Sequence, residues 1–221
     1  MIENDVRTIP IFPLPNVVFF PRTQLPLHIF EPRYRQLTKD CLNGDRILGV
    51  VMLKNGWERN YYDSPDCFKM LGIGRIVEHE ELPDGLYNIV LQGLCRARIL
   101  TELQQRPYRL AQVQILREDF KQYERDEILD EVRQLRKNCR RLAEAIPQYA
   151  ELMEKICSKS SRPALFVDLI ANHFVLESYD RQSLLSELNI LRRLRLVRVQ
   201  IKEILSRCTP QATSEGVDIE P

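Results

Sequence analysis

Residues Leu110 to Ile146 read LAQVQILREDFKQYERDEILDEVRQLRKNCRRLAEAI, and the fold turns on this stretch. Up to Leu116 apolar and polar residues alternate, the period of a half-buried strand. Between Leu116 and Arg125 the pattern changes. Ile128, Val132, Leu135, Cys139, Leu142 and Ile146 then recur at alternating steps of four and three, which draws one apolar stripe along a long helix. Strands are therefore expected before this point and helices after it.

Working outward toward the N-terminus, short β-like runs are expected at Thr8–Phe12, Val17–Phe20, Leu48–Lys54, Met70–Glu78, Leu86–Leu91, Cys95–Leu103 and Leu110–Leu116. Pro13, Pro15, Pro21, Asn55-Gly56, Pro83-Asp84-Gly85 and Pro107 separate them, as turn residues separate strands. Many short strands of this kind imply a barrel or a sandwich. One helix interrupts them, opening at Pro32 and closing near Asn43-Gly44, because proline suits a first helical turn. Toward the C-terminus, Pro147 ends or bends the long helix. Ser161 and Pro163 open another, with Phe166, Ile170 and Phe174 on one face. A last long helix follows Asp180 and buries Ile190, Leu194, Val197, Ile201 and Ile204. The segment 209–221 is polar and aperiodic and is expected to be disordered.

The 221 residues are 44% hydrophobic, enough for a substantial core. Lys plus Arg number 32 against 31 Asp plus Glu, so no net field draws the chain to nucleic acid or anionic lipid, and any charged partner must meet a local patch. No basic leader precedes an apolar core at the start and no apolar run approaches a membrane span, so the expectation is a cytoplasmic protein with no membrane partner. The six cysteines stand singly and read as reduced, mostly buried small hydrophobes.

The opening segment Ile9-Pro-Ile-Phe-Pro-Leu-Pro-Asn-Val-Val-Phe-Phe-Pro21, followed by Leu25-Pro-Leu27 and His28-Ile-Phe-Glu-Pro-Arg-Tyr34, resembles the start of the Lon amino-terminal domain. Gly72-Ile-Gly-Arg-Ile-Val77, Leu82-Pro-Asp-Gly85, Gly93-Leu-Cys-Arg-Ala-Arg-Ile99 and Pro107-Tyr108 are similar to that family's later strand signatures. Leu165-Phe-Val-Asp-Leu-Ile-Ala-Asn-His173 and Leu184-Leu-Ser-Glu-Leu188 are similar to its helical part. The resemblance implies an α+β chain: a PUA-like β-barrel over 1–117, then a helical bundle over 118–208. It also implies recognition of unfolded or tagged polypeptides.

Catalytic chemistry finds no foothold in the pattern. There is no GxxxxGK[ST] loop to cradle phosphates, no GxSxG elbow and no HExxH helix, so no catalytic residue, cofactor or metal is expected. His28, His79 and His173 lie in three separate elements. His28 with Glu31 could mimic a catalytic pair, but Glu31 is better placed against the positive end of the helix opening at Pro32. Gly72-x-Gly74 reads as a bulge or a close strand approach, and Gly93 as a turn.

Two features carry binding hypotheses. The loop from Asn55 to Pro65 holds the single tryptophan, Trp57, with Tyr61 and Tyr62. These rings either fold back as a mini-core or stand out as rigid anchors for a polypeptide client. Arg192, Arg195, Arg198 and Lys202 form a stripe on the last helix, either a solvated face or an anionic docking surface. Polypeptide binding is the leading expectation, RNA binding through the barrel and this stripe the alternative, and a cryptic enzyme the last.

Overall fold

The computed structural model describes residues 5–208 apart from 62, 104–106, 120, 122, 123 and 161; Tyr62, the Ser161 cap and the segment 209–221 lie outside the described residues. Among them are strands β1 (Val6–Leu14), β2 (Gln24–Ile29), β3 (Ile47–Leu53), β4 (Cys67–Glu81), β5 (Tyr87–Leu103) and β6 (Arg109–Leu116). The helices are α1 (Pro32–Leu42), α2 (Arg125–Ala145), α3 (Ala150–Lys159), α4 (Pro163–Phe174), α5 (Ser178–Ser186) and α6 (Ile190–Cys208). The strand order is β2-β5-β4-β3-β1-β6, and β5 also pairs with β6. That last pairing closes five strands into a barrel and leaves β2 outside it, its strand pairing among the described residues being with the first half of β5. β1 and β3 run parallel, as the crossover through β2 and α1 requires. The rest pair antiparallel.

β6 ends at Leu116 and α2 begins at Arg125, where the hydrophobic period changes. Other elements depart from expectation. Val17–Phe20 is not a strand. It crosses the glycines of β4 and β5 so closely that a Cβ on Gly72 would stand 1.9 Å from the Phe19 carbonyl oxygen, and one on Gly93 would stand 2.2 Å from that of Phe20. Its sidedness is still strand-like. Phe19 enters the barrel core, whereas Val18 and Phe20 turn to the core of the helices. Gly93 is correspondingly no turn: it lies inside the single 17-residue strand β5, opposite Gly74. The Gly72-x-Gly74 reading as close approach holds, with a register shift between Ile73 and Gly74.

The helical half has five helices among the described residues where three were expected. Pro147 ends α2, and a short 3-10 turn leads into α3. The last segment is divided at Asn189, whose side-chain oxygen accepts a hydrogen bond from the Arg192 amide at 2.8 Å and so caps α6. α2 and α6 run parallel: Asp119 bridges Asn189 in parallel sense, and their contacts advance in step along both helices. Val18, Phe20 and Met52 from the barrel side join Leu135, Phe166, Ile170, Leu194 and Val197 in one apolar cluster, so the helical core extends onto the barrel. Full burial of each such side chain contributes about 1.5–3 kcal/mol.

Candidate functional site

The loop between β3 and β4 is built into the molecule at both ends. Lys54 N donates to Asp66 O at 2.8 Å and closes its base, and Gly56, in the left-handed region at φ 88°, turns the chain into a short 3-10 turn at Trp57–Arg59. On one side the Asn55 amide donates to Tyr179 Oη of α5 at 3.0 Å. On the other, Tyr61 Oη donates to Glu31 Oε1 at 2.5 Å, and Arg33 donates to Glu31 Oε2 at 3.0 Å and to the Tyr61 carbonyl at 3.2 Å. The Arg33 guanidinium also lies 5.0 Å above the Tyr61 ring and 4.8 Å from that of Tyr34. Burial, aided by the bond to Glu31, pushes the Tyr61 phenol above its ordinary pKa.

Trp57 and Tyr61 meet edge to face at 5.5 Å and are half-buried against the barrel cluster around Leu53 and Leu71. Both residues keep partial exposure, and Tyr61 is further covered by the Arg33 guanidinium. Beside them, across the Asn55 to Tyr179 bond, Tyr179 meets Phe68 at 5.4 Å and Leu176 is 73% exposed. Glu31 stands at the N-terminus of α1, as its position before Pro32 suggests, and serves Tyr61 and Arg33. His28 is hydrogen-bonded to Asn88 instead. His173 is exposed on the last turn of α4, and partial desolvation lowers its pKa.

The stripe on α6 is largely answered by α2. Arg195 pairs with Glu127 at 2.6 Å, and Arg198 holds Glu131 at 2.6 and 3.2 Å. Arg192 and Lys202 are exposed. The next residue after Arg192, Arg193, points the other way and is wholly buried. There it joins Arg96 of β5, Asp168 of α4 and Glu118 in a four-residue network. Arg96 Nη2 donates to Asp168 Oδ1 at 2.7 Å, its Nη1 to Glu118 at 3.2 Å and its Nε to the Leu185 carbonyl at 3.0 Å. Arg193 donates to the Glu187 carbonyl at 2.6 Å and bonds Glu118. Its Nε sits 3.0 Å from Asp168 Oδ1, an ion-pair contact too oblique to be a hydrogen bond. Desolvation lowers the Arg193 pKa, while Asp168 and Glu118 oppose that shift and favour the charged form. A small cleft of about 160 Å³ opens beside Arg96 and Asp168 between barrel and α4.

Sequence reasoning did not single out Arg96, Glu118 or Asp168. A signal existed for two members of the network. Asp168 sits among Leu165, Phe166, Val167, Leu169 and Ile170, and Arg193 falls on the same helical face as Ile190, Leu194 and Val197. A charge inside an apolar stripe implies a buried partner. Among the described residues no group of three or more His, Cys, Asp or Glu is placed to hold a metal, and no helix is long and apolar enough to cross a membrane.

Residues 8–203 match the model of the ATP-dependent protease La (LON) substrate-binding domain. The chain belongs to the Lon substrate-binding domain family. It is 31% identical over 201 residues to Lon protease 1 of Herpetosiphon aurantiacus, covering 90% of this chain and 24% of that protein. Lon protease 2 of Myxococcus xanthus is 29% identical over 195 residues, covering 88% and 23%. The chain thus spans about a quarter of the length of these relatives. The fold matches the N-terminal domain of a Mycobacterium avium complex Lon protease with TM-score 0.71 at 14% identity, over 89% of this chain and 99% of that one. A Lon N-terminal domain protein from Xanthomonas campestris matches with TM-score 0.60 at 21% identity, over 87% and 98%. The barrel, the bundle and their order are those of Lon substrate-binding domains.

Proposed function

We propose that this chain is a non-catalytic polypeptide-binding module, an adaptor or chaperone-like reader of unfolded or tagged clients, with the Trp57 and Tyr61 loop as part of its contact surface. Membership of the Lon substrate-binding family carries the reading. Its support at the site is the half-buried state of both rings: packing already holds each in place while part of it stays exposed, so little entropy is lost when a client docks. Tyr62 adjoins them in sequence and is included in the proposal on that ground alone. Pairing of Arg195 and Arg198 with Glu127 and Glu131 leaves Arg192 and Lys202 as a thin base for RNA binding through α6.

Titration of a labelled unfolded peptide, read by fluorescence anisotropy, tests this reading. Binding is expected in the micromolar range, on the order of 8 kcal/mol, with little dependence on salt for an uncharged apolar peptide. Trp57→Ala is expected to weaken it about tenfold while reducing stability by about 1 kcal/mol. Purified protein is expected to turn over neither ATP nor unfolded casein. Absence of peptide binding at tens of micromolar, together with salt-sensitive RNA binding lost on Arg192→Gln and Lys202→Gln, would replace this reading with the RNA one.

A further inference from the structure

β2 lies outside the closed barrel and extends a three-stranded ribbon with the first half of β5 and the second half of β4. Its inner face carries Leu25, Leu27, Ile29, Ile76, Ile89 and Leu91 into the barrel core. The outer face follows from the same register. Gln24, Gln92 and Arg75 form one row, Pro26, Val90 and Glu78 the next, and His28, Asn88 and Glu80 the third. Phe30, two residues beyond His28, is 62% exposed with its ring 6.3 Å from the imidazole.

This face is concave. A depression of about 400 Å³ is lined by Pro26, His28, Glu78, Glu80, Asn88 and Val90. Its third row is tied together: Asn88 Oδ1 lies 2.8 Å from His28 Nδ1, and Asn88 Nδ2 donates to Glu80 Oε2 at 3.1 Å. With the Asn88 oxygen turned to the imidazole, His28 Nδ1 is the donor, and the row fixes the Glu80 carboxylate in place. Glu78 and Glu80 have no ion-pair partner among the described residues, in contrast to Glu127 and Glu131 on α2. On one face of a strand, residues two apart stand about 7 Å from each other. An extended peptide repeats its own side chains at that spacing.

The geometry points to this outer face as a docking surface for an extended client segment that carries Lys or Arg at alternate positions beside apolar side chains. With the segment lying edge-on along β5, its alternate side chains point to opposite flanks, so the cationic groups meet Glu78 and Glu80 of β4 while the apolar ones lie over Pro26 of β2 and Phe30. Charge complementarity selects the occupant: two exposed carboxylates that form no ion pair among the described residues, beside an apolar floor, repel acidic segments and favour basic ones. The inference rests on the polypeptide-binding reading and deepens it by naming a substrate class and a second contact surface, separate from the Trp57 loop.

The test uses three labelled unstructured peptides of equal length: one with lysines at alternate positions among leucines, one with glutamates in their place, and one with serines. The wild-type chain is expected to bind the lysine peptide most tightly and the glutamate peptide least. In Glu78→Gln/Glu80→Gln the lysine peptide is expected to bind about tenfold more weakly, with the serine peptide unchanged and the thermal midpoint retained. Phe30→Ala is expected to weaken both lysine and serine peptides. Equal binding of all three peptides, or an unchanged lysine peptide in a folded double variant, overturns this inference and leaves polypeptide binding standing. No binding of any peptide to the wild type overturns both.

Discussion

Arg193 and Arg195 stand two residues apart on α6 and live in different electrostatic worlds. Arg195 is half exposed, pairs with Glu127 across the outer edge of α2 and is screened by water and salt. Arg193 is wholly buried and shares Asp168 and Glu118 with Arg96 at the seam between barrel and helices. The same guanidinium is a minor surface contact in one place and a structural obligation in the other. Helical phase decides which, because residues two apart point about 200° from each other around the axis.

The largest effect is expected at Asp168. Removing it by Asp168→Ala leaves two arginines in the seam short of a counter-charge and should lower stability by about 3–5 kcal/mol, measured by urea unfolding. Glu127→Ala on the outer edge should cost no more than about 1 kcal/mol. Comparable losses at the two positions would erase the distinction between seam and edge.

Backbone approach sharpens the same contrast. Gly72→Ala places a Cβ against the Phe19 carbonyl, which cannot move without dragging Val18 and Phe20 out of the helical core. A loss of about 1–3 kcal/mol is expected. At Gly44, where the nearest atom to a new Cβ is 3.5 Å away, alanine should be nearly silent. Thermal midpoints of the two variants, compared side by side, check this.

Thiol chemistry gives the most local readout. Burial pushes Cys41 in the barrel half and Cys139 in the helical half up to about 12, and Cys67 to about 11. All three should resist alkylation in the folded chain at pH 8. Because Val18, Phe20 and Met52 of the barrel half pack into the helical core, Cys41 and Cys139 should become reactive at the same urea concentration. Labelling of one well before the other would mean that the halves open separately. The sign of the linkage is fixed by the raised values. An unfolded thiol ionises near pH 8.5 and the folded one does not, so stability present below that pH falls as pH rises toward 12, by about 1.4 kcal/mol per pH unit for each such thiol. Urea midpoints at pH 7.5 and 9.5 measure it.

Much of the fold was legible because alternation and helical periodicity are local. The strand at Leu110–Leu116, the helix opened by Pro32 and the stripe from Ile128 to Ile146 all appear where those patterns place them. Val17–Phe20 misled because a segment can alternate its side chains between two cores without any ladder partner. Gly93 misled because a glycine that admits a crossing backbone has the same letter as one that turns a chain. At the candidate site, the aromatic content of the loop was visible in the sequence. Its anchorage to Glu31, Arg33 and Tyr179 joins residues far apart along the chain and was not.

By itself, then, the sequence determined the class of the chain, the point where strands give way to helices, and the family, since each follows from short-range pattern or from motifs in order. The tertiary structure alone decided which charges are buried and which are wet. Arg96, Glu118, Asp168 and Arg193 come from four separate stretches, and only the packing of α4 and α6 onto β5 removes water from among them. Desolvation depends on every neighbour at once, and no local pattern of residues encodes it.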